Sequence, residues 1–277
     1  MQIYVINLDR HPARWQRIAG LLHGLTIKRI AAVDGKNLEG PEYRDHTLAF
    51  SYENLSRYER TCILSHRFAW QEFLNSNDPY SCILEDDVFI SSDFHRFIKS
   101  ETWIPMDCNL VKIETTEQEV FISRKTINCL ERKAALLRSL HFGTAAYIIS
   151  RRGAEACLKE TLQSDRPMDH IMFDETGLRK LHPVYQLLPV LCIQANQRAD
   201  GMIFSELESS IQPKVNPQAS PQIQICPQIT PAPKTLLNKI KREGLRPFRQ
   251  LSQLIQIAGV HGLRRLKGVH RCRVPFA

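Results

Sequence analysis

The sequence predicts an α/β fold in which a mainly parallel β-sheet carries helices on both faces. Two observations lead to this prediction: short apolar runs alternate with longer segments of helical apolar spacing, and turn residues separate them. The chain has 277 residues, 43% of them hydrophobic, so it is long enough to bury the core of one large domain. In sheets of this kind, ligands bind beyond the carboxyl ends of the strands.

The first two strands are predicted where apolar runs meet turn residues. Residues 3–8 form one such run, and residues 27–35 form another, which closes on the turn pair Asp34-Gly35. Residues 13–25 lie between them and predict a helix, because their apolar side chains recur at helical spacing. The order strand, helix, strand favours parallel pairing.

A second helix and a third strand lead to the most unusual motif of the chain. Residues 57–74 predict a helix with one apolar face, and residues 80–84 predict a buried strand. That strand runs directly into three consecutive carboxylates, Glu85, Asp86 and Asp87. We therefore expect these acids at the edge of the sheet where ligands bind.

The alternation continues to about residue 194. The predicted elements are strands at 109–113, 120–123, 143–150 and within 184–194, with helices at 151–162 and 168–180. Together with the earlier elements they predict one folded domain over residues 1–211.

The composition changes after this domain. Residues 212–233 are rich in Pro and Gln without a usable period, which indicates a linker. Residues 234–277 combine Leu and Ile with Lys and Arg and predict a basic amphipathic extension. Residues 211–277 hold 12 of the 37 Lys and Arg but one of the 29 Asp and Glu, so the net charge of +8 comes from this part.

Three interpretations of the basic extension stay open. Its composition suits an anionic membrane surface, and it equally suits packing against the mildly acidic main domain. Nucleic-acid binding is the weakest of the three, because Phe248 and Phe276 are too few aromatic residues for a stacking platform. We expect no nucleic-acid partner.

Targeting and redox signals favour a cytoplasmic protein. The first residues lack the basic and long apolar regions of a secretory signal, and no window approaches the roughly 18 apolar residues of a membrane-spanning helix. The eight cysteines occur singly, without a C-x-x-C pair that would indicate zinc or redox chemistry. We expect their thiols to be reduced.

The three adjacent acids predict a metal site. They repel one another, and a divalent cation among them would remove that repulsion. Their oxygen ligands suit Mn²⁺ or Mg²⁺. Because side chains alternate along an extended chain, Glu85 and Asp87 point to one side as the expected ligands, whereas Asp86 points to the other. The alternative is a solvated strand end; a nucleotide triphosphatase is not indicated, because the G-x-x-x-x-G-K-[ST] motif is absent from the sequence.

Six segments occur in an order that is typical of one enzyme family. They are YVINLDRHPARWQRI, AAVDGKNL, CILSHRFAWQEFL, CILEDDVFISSDF, GTAAYIISRRGA and RPMDHIMFD. The chain thereby resembles glycosyltransferase family 25 over roughly residues 2–210. The resemblance implies a GT-A-like fold and inverting, metal-assisted transfer of a sugar from a nucleotide donor, with the acidic triplet in place of a D-x-D motif.

The resemblance also implies partners and a location. The implied donor is UDP-galactose, and the implied acceptor is a lipid-linked oligosaccharide of the lipooligosaccharide or lipopolysaccharide type. An enzyme acting on that acceptor would lie peripherally on the inner membrane, where the basic extension would contact anionic lipid. Further metal ligands would come from late segments, such as His182 or Gln194, or from water.

Polar residues near the first two strands are candidates for nucleotide binding. Arg10 and Arg14 are four positions apart and would meet the nucleotide together, and Asn7 would hydrogen-bond the base. Asp34 would accept from the ribose hydroxyls, and Asp86 would bond the nucleotide or brace a neighbouring loop. The alternatives are a solvated helix face for the arginines and a purely local turn role for Asp34.

Two further pairs are candidates for contacts near the donor sugar. Ser65 and His66 lie on the second predicted helix beside apolar positions; the resemblance implies a role near the site, and the alternative is a buried core histidine. Gly143 and Thr144 open a predicted strand and would let the sugar approach closely, since glycine has no side chain. A strand-start glycine is the alternative.

Inversion requires a base that takes the proton of the acceptor hydroxyl. Asp169, in the segment RPMDH, is the candidate for this base, and Asp174 is the reserve. The alternative for Asp169 is a helix N-cap.

Two functions from different classes stay open. One is the inverting glycosyltransferase described above, with lipooligosaccharide as acceptor. The other is a non-catalytic membrane-surface binding protein with a degenerate transferase fold, in which the basic extension carries the function. The complete acidic triplet and Asp169 favour the enzyme. A metal-dependent phosphoesterase would need a second cluster of His and Asp ligands, which we do not find in the sequence.

Overall fold

The computed structural model describes residues 1–36, 55–162, 164–195 and 268–277. The predicted linker 212–233 and most of the predicted extension 234–277 lie outside the described residues. All features below belong to one compact unit, which comprises Met1–Ile211 and Val269–Ala277.

The described residues form twelve strands and five α-helices. The strands are β1 (Gln2–Asn7), β2 (Ile27–Ala31), β3 (Tyr80–Glu85), β4 (Val88–Ile90), β5 (Leu110–Lys112), β6 (Glu114–Thr115), β7 (Glu119–Cys129), β8 (Arg132–Leu137), β9 (Ala146–Ser150), β10 (Val184–Leu188), β11 (Cys192–Gln194) and β12 (Val269–Arg273). The helices are α1 (Pro12–Leu21), α2 (Arg57–Leu74), α3 (Phe94–Lys99), α4 (Arg151–Glu160) and α5 (Met168–Phe173), followed by a 3-10 turn at Leu178–Lys180. Among these helices, none combines the length and the hydrophobicity that a bilayer crossing requires.

The strands form one large mixed sheet and one small sheet. The large sheet has the order β12-β7-β8-β10-β5-β9-β3-β1-β2, and the small sheet has the order β4-β11-β6. In the large sheet, β1 pairs in parallel with β2 and β3, and β5 pairs in parallel with β10. The other neighbours are antiparallel. The predicted mainly parallel sheet is corrected to a mixed one, because β9 is inserted between β3 and β5 and because the short β7–β8 connection permits only antiparallel pairing.

The core occupies both faces of the large sheet. Along β1, Tyr4 and Ile6 point to one face, whereas Ile3 and Val5 point to the other, as the alternation of an extended chain requires. Helices α2, α4 and α5 cover the first face, and α1 and α3 cover the second. The predicted coverage of both faces by helices is confirmed.

Helix α2 occupies the residues that the apolar spacing predicted. It begins with a reciprocal cap, in which the Ser56 hydroxyl accepts from the Glu59 N–H at 3.3 Å and the Glu59 carboxylate accepts from the Ser56 N–H at 2.8 Å. The cap fixes where α2 starts and thereby which of its side chains face the edge of the sheet.

The predicted helix at 168–180 is shorter in the structure. Asp174 leaves the helical conformation with a ψ of 154°. Gly177 then makes a close approach, because an added Cβ would lie 2.3 Å from the carbonyl oxygen of Ile171. Helix α5 therefore ends early, and only a 3-10 turn follows.

Strand β12 is the edge strand of the large sheet and pairs with β7. Val269 and Val274 are buried there, and the Thr115 hydroxyl donates to the carbonyl oxygen of Val274 at 2.8 Å. The pairing satisfies backbone groups of β7 that would otherwise be exposed at the edge of the sheet. The predicted extension 234–277 therefore differs from the structure in its last part, because residues 269–277 belong to the main unit.

Candidate active site

The acidic triplet lies at the carboxyl end of β3, beside the carboxyl end of the parallel strand β1. It forms part of the wall of an open pocket, which is also lined by Arg10 and Arg14 after β1, by Ala32 and Val33 after β2, and by His66 on α2. This is the edge of the sheet at which the order of strands predicted a ligand site.

Asp86 is turned away from its two acidic neighbours. One of its oxygens accepts from the side-chain amide of Asn7 at 2.6 Å, and the other lies 3.3 Å from the Arg14 guanidinium. All three side chains are buried. The Arg14 charge thus balances Asp86, and Asp86 braces the segment after β1.

Glu85 and Asp87 point together in the direction opposite to Asp86. The Gln194 side-chain nitrogen at the end of β11 lies 3.3 Å from Glu85 Oε2 and 3.3 Å from Asp87 Oδ1. The backbone N–H of Ala195 also donates to the Asp87 carbonyl oxygen at 3.0 Å. A neutral amide therefore separates two acids, and it does not cancel their charge.

Burial raises the pKa of both acids above the ordinary carboxyl range, and repulsion adds to it, from Asp86 for Glu85 and from both neighbours for Asp87. Such a pair gains stability when a cation enters between its oxygens. The donor set of two carboxylates, with an amide oxygen available if the Gln194 side chain rotates, fits a hard divalent cation such as Mn²⁺ or Mg²⁺. His182, the other suggested late ligand, lies just after the 3-10 turn, and its backbone N–H donates to Leu178.

His66 reaches Glu85 from α2. Its Nε2 lies 3.5 Å from Glu85 Oε1, and its Nδ1 lies 2.8 Å from the hydroxyl of Tyr147. Burial lowers the pKa of His66 to about 3, so the ring is neutral at physiological pH. Ser65 also lines the pocket, and its hydroxyl accepts from the Val33 N–H at 2.9 Å, which connects α2 to the segment after β2.

The amide of Asn7 is used within the protein. Its nitrogen donates to Asp86 and to the carbonyl oxygen of His11, and its oxygen accepts from Arg29 at 2.8 Å. Asn7 therefore supports Asp86, and a hydrogen bond from Asn7 to a nucleotide base would have to replace one of these contacts.

Arg10, which lines the pocket, forms an ion pair of 2.8 Å with Asp34. The second oxygen of Asp34 accepts from the Lys36 N–H at 2.9 Å, so Asp34 also stabilises its own turn. An exposed pair of this kind contributes only about 0–1 kcal/mol, so either partner can exchange it for a ligand at little cost.

Asp169, Gly143 and Thr144 meet near the triplet. The Gly143 N–H donates to Asp169 Oδ2 at 3.3 Å, and the Thr144 hydroxyl lies 3.4 Å from Glu85 Oε1. Both residues precede β9 instead of opening it, which corrects the predicted strand start. The N-cap alternative for Asp169 is wrong, because Pro167 holds that position. Asp174 lies at the other end of α5, 3.8 Å from His170 Nδ1.

A buried ion pair that the sequence did not predict contacts the turn at Gly143 and Thr144. Lys112 and Glu114 are fully buried, and their charged atoms lie 2.8 Å apart. Lys112 also donates to the Gly143 carbonyl oxygen, and Glu114 accepts from the Ala145 N–H at 2.7 Å. Gly143 has a φ of +85°, and an added Cβ would lie 3.3 Å from the Glu114 carboxylate, so glycine is needed for the turn to rest on the pair.

The signal for this pair was present but weak. Lys112 and Glu114 are two positions apart within an apolar run, so they share one face of an extended chain. Two opposite charges on the same face of a buried segment indicate an ion pair. Burial lowers the pKa of Lys112 and raises that of Glu114, and each partner opposes the shift of the other.

Comparison with known proteins gives one family. The family model described as glycosyltransferase family 25, LPS biosynthesis protein, matches residues 1–172. The lacto-N-neotetraose biosynthesis glycosyltransferase LgtE of Neisseria meningitidis serogroup B is 32% identical over 169 residues, which cover 56% of this chain and 60% of that protein. LgtB of the same serogroup is 30% identical over 207 residues, which cover 70% of this chain and 75% of that protein.

A third relative comes from another genus. The lipooligosaccharide biosynthesis protein lex-1 of Haemophilus influenzae is 33% identical over 175 residues, which cover 57% of each protein. The chain thus spans less than two thirds of LgtE and of lex-1.

Proposed function

The chain belongs to glycosyltransferase family 25, and on that premise we propose that it is an inverting, metal-dependent glycosyltransferase. The proposed donor is UDP-galactose, and the proposed acceptor is a lipid-linked oligosaccharide of the lipooligosaccharide type. The names of the relatives, which refer to lipooligosaccharide and lacto-N-neotetraose biosynthesis, support the acceptor class.

One observation carries the proposal. Glu85, which is half-buried, and Asp87, which is buried, form no ion pair with a Lys or Arg among the described residues, and they line a pocket that is also lined by Arg10. Asp86, between them in sequence, is already balanced by Arg14. Glu85 and Asp87 are therefore available to a metal, and the Arg10 guanidinium is available to an anionic ligand.

We propose that Asp87, with Glu85, holds the cation. When bound, a divalent ion such as Mn²⁺ or Mg²⁺ supplies positive charge that offsets the charge on a departing diphosphate. The protein contributes the positions of the ligands: Gln194 and Thr144 contact Glu85, and Gln194 and the Ala195 N–H hold Asp87.

The nucleotide would lie between the carboxyl ends of β1 and β2. Arg10 would exchange its pair with Asp34 for the diphosphate, which leaves the Asp34 carboxylate available to the ribose hydroxyls. The low stability of an exposed ion pair makes this exchange inexpensive. Arg14 and Asn7 would act indirectly, since both are engaged with Asp86.

Asp169 is the proposed base. Two backbone N–H groups, from Gly143 and His170, hydrogen-bond its carboxylate and fix its direction. The acceptor oxygen would attack the anomeric carbon, its proton would pass to Asp169, and the bond between the sugar and the diphosphate would break. A single displacement on the face opposite the diphosphate inverts the configuration of the anomeric carbon.

The proposed location is the cytoplasmic face of the inner membrane. A lipid-linked acceptor is met at that surface, and the basic composition of the predicted extension suits anionic lipid. The alternative function, a non-catalytic surface binder, shares this location and differs in catalysis.

A donor screen separates the two functions. Purified protein is incubated with a panel of UDP-sugars, with Mn²⁺ or with EDTA, and the release of UDP is measured. We expect release from UDP-galactose that requires Mn²⁺ and increases when a lipooligosaccharide acceptor is added. Binding to anionic vesicles without UDP release from any donor or acceptor would instead support the surface binder.

A further inference from the structure

We propose that His66 is a positioning residue for the metal site: its Nε2–H, directed by Tyr147 and Trp70, holds the carboxylate of Glu85 in its ligating position. This inference rests on the proposed function, because it assigns a purpose to the orientation of Glu85.

The direction of the hydrogen bonds follows from the donors available. The Trp70 Nε1–H can only donate, and it lies 2.8 Å from the Tyr147 hydroxyl oxygen. Tyr147 is fully buried, and its own proton needs an acceptor. Among the described residues the remaining contact of this hydroxyl is His66 Nδ1, at 2.8 Å. Tyr147 therefore donates to Nδ1, and the proton of the neutral imidazole is on Nε2.

The Nε2–H faces Glu85. Its nitrogen is buried and has no hydrogen-bond partner within 3.5 Å of good geometry among the described residues. Glu85 Oε1 lies 3.5 Å away, at the edge of that range. A buried N–H without an acceptor costs free energy, so the carboxylate is favoured in the position that shortens this contact.

The ring of His66 is held in place on its other side. It is stacked on Tyr147 with 5.7 Å between ring centroids and 27° between planes, and its centroid lies 6.1 Å from that of Trp70. Of the three donors around Glu85, the imidazole of His66 cannot turn without losing these ring contacts and its hydrogen bond with Tyr147. His66 is therefore the rigid donor of the set.

A soft-metal site is the competing explanation for the same side chains. Cys62, His66 and Glu85 present ligand atoms that all lie within 4.8 Å of one another. Metal binding at Nε2 would need the proton on Nδ1, which would leave the Tyr147 proton without an acceptor. The hydrogen bonds therefore favour the donor role of His66.

The first test measures the tautomer directly. Nitrogen chemical shifts of the full chain, labelled with ¹⁵N-histidine and free of metal, should show His66 as a single neutral Nε2–H tautomer. In Tyr147→Phe the Nδ1 contact is lost, and a mixture of tautomers is expected. A wild-type protein with the proton on Nδ1 would overturn the inference.

The second test measures metal affinity, which is independent of turnover. Tyr147→Phe and His66→Leu should weaken Mn²⁺ binding by about 10- to 100-fold, the usual effect of removing a partner that orients a metal ligand. His66→Gln, whose side-chain N–H reaches a similar position, should restore most of the affinity. Tyr185→Phe is the matched control, because this tyrosine is also buried but bonds Asp107, away from the pocket.

The outcomes separate the inference from the proposed function. If wild-type protein binds no Mn²⁺, the proposed metal site fails, and the inference falls with it. If wild-type protein binds Mn²⁺ and the Tyr147 and His66 variants bind it equally well, the metal site stands and the positioning role is wrong. Tighter binding of Zn²⁺ that is lost in both Cys62→Ser and His66→Gln would favour the soft-metal site.

Discussion

The acidic triplet and the Lys112–Glu114 pair are two buried charged clusters with opposite properties. In the triplet, Arg14 pairs with Asp86, whereas Glu85 and Asp87 at the wall of a pocket form no ion pair with a Lys or Arg among the described residues. In the pair, Lys112 and Glu114 neutralise each other and are sealed from solvent. The comparison shows that an ion pair whose charges cancel can fix the position of the backbone. Acids without an ion-pair partner are instead suited to bind a cation.

The two clusters meet at one turn. The pair holds Gly143 and Ala145 through their backbone groups, and between them Thr144 reaches Glu85. The neutral cluster thus sets the position of a group that contacts the charged one. Substitutions in each cluster should therefore affect different quantities.

The largest expected effect comes from the charged cluster. Asp87→Asn should lower kcat by about 10³-fold, because a metal ligand that stabilises developing charge contributes several kcal/mol. Stability without metal should not fall, since the substitution removes repulsion. UDP release and thermal unfolding measure the two quantities. Turnover near that of the wild type in the presence of EDTA would contradict the metal role.

The next largest effect comes from the neutral cluster. Lys112→Met should lower the free energy of unfolding by about 3–5 kcal/mol, because it leaves Glu114 buried and unpaired. The double variant Lys112→Met/Glu114→Gln should regain most of this stability, since it removes both charges and keeps an acceptor for the Ala145 N–H. Denaturant unfolding measures the free energy of unfolding of the wild type, the single variant and the double variant. Equal stability of the single variant and the wild type would show that the pair is not sealed.

A smaller effect on kcat is expected at Asp169, which contacts the turn at Gly143 between the two clusters. Asp169→Asn should lower kcat by about 10²-fold, the lower part of the range for loss of a general base. The dissociation constant of UDP should not change, because the amide keeps an oxygen for the Gly143 N–H. Single-turnover kinetics and equilibrium binding separate these quantities; an equal loss of donor binding would exclude Asp169 as the base.

A pH dependence of stability is expected for the metal-free protein. Burial raises the pKa of Glu85 to about 7 and that of Asp87 to about 8, so the metal-free folded protein retains protons that the unfolded chain has released. Their stabilising contribution is complete below about pH 4 and is lost as the pH rises through about 8, with a slope of about 1.4 kcal/mol per pH unit for each retained proton. Unfolding in EDTA across this range measures the slope.

Two variants sharpen this pH prediction. Asp87→Asn should reduce the slope, and saturating Mn²⁺ should reverse it, because the metal binds the deprotonated acids. Tyr185→Phe should leave the slope unchanged, because this tyrosine bonds Asp107, away from the pocket. An unchanged slope in Asp87→Asn would mean that other groups cause the pH dependence.

The parts of the site that the sequence predicted are local in the chain. Helix α2 follows from its apolar spacing. The predicted opposite directions of Asp86 and Glu85 agree with their contacts, although Asp86 and Asp87 lie in the turn between β3 and β4 and not on an extended strand. The position of the triplet follows from its place after a buried strand. Each of these rules involves residues that are close together in sequence.

The parts that the sequence did not predict depend on distant contacts. Asn7 and Asp86 are 79 positions apart, and only the folded sheet shows that the Asn7 amide is already engaged. The insertion of β9 between β3 and β5 makes the sheet mixed, and no local pattern specifies strand order. Tyr147 reads as one more apolar core residue until its hydroxyl is seen between Trp70 and His66.

Strand β12 has a practical consequence for any attempt to separate catalysis from localisation. Because β11 and β12 both belong to the main unit, the stretch between them is joined to that unit at each end. A protein cut after residue 211 would lose its closing strand along with the basic segment, so a loss of solubility or activity would have two causes. Deleting residues 212–267 and joining β12 through a Gly-Ser linker would test the proposed lipid association without removing that strand.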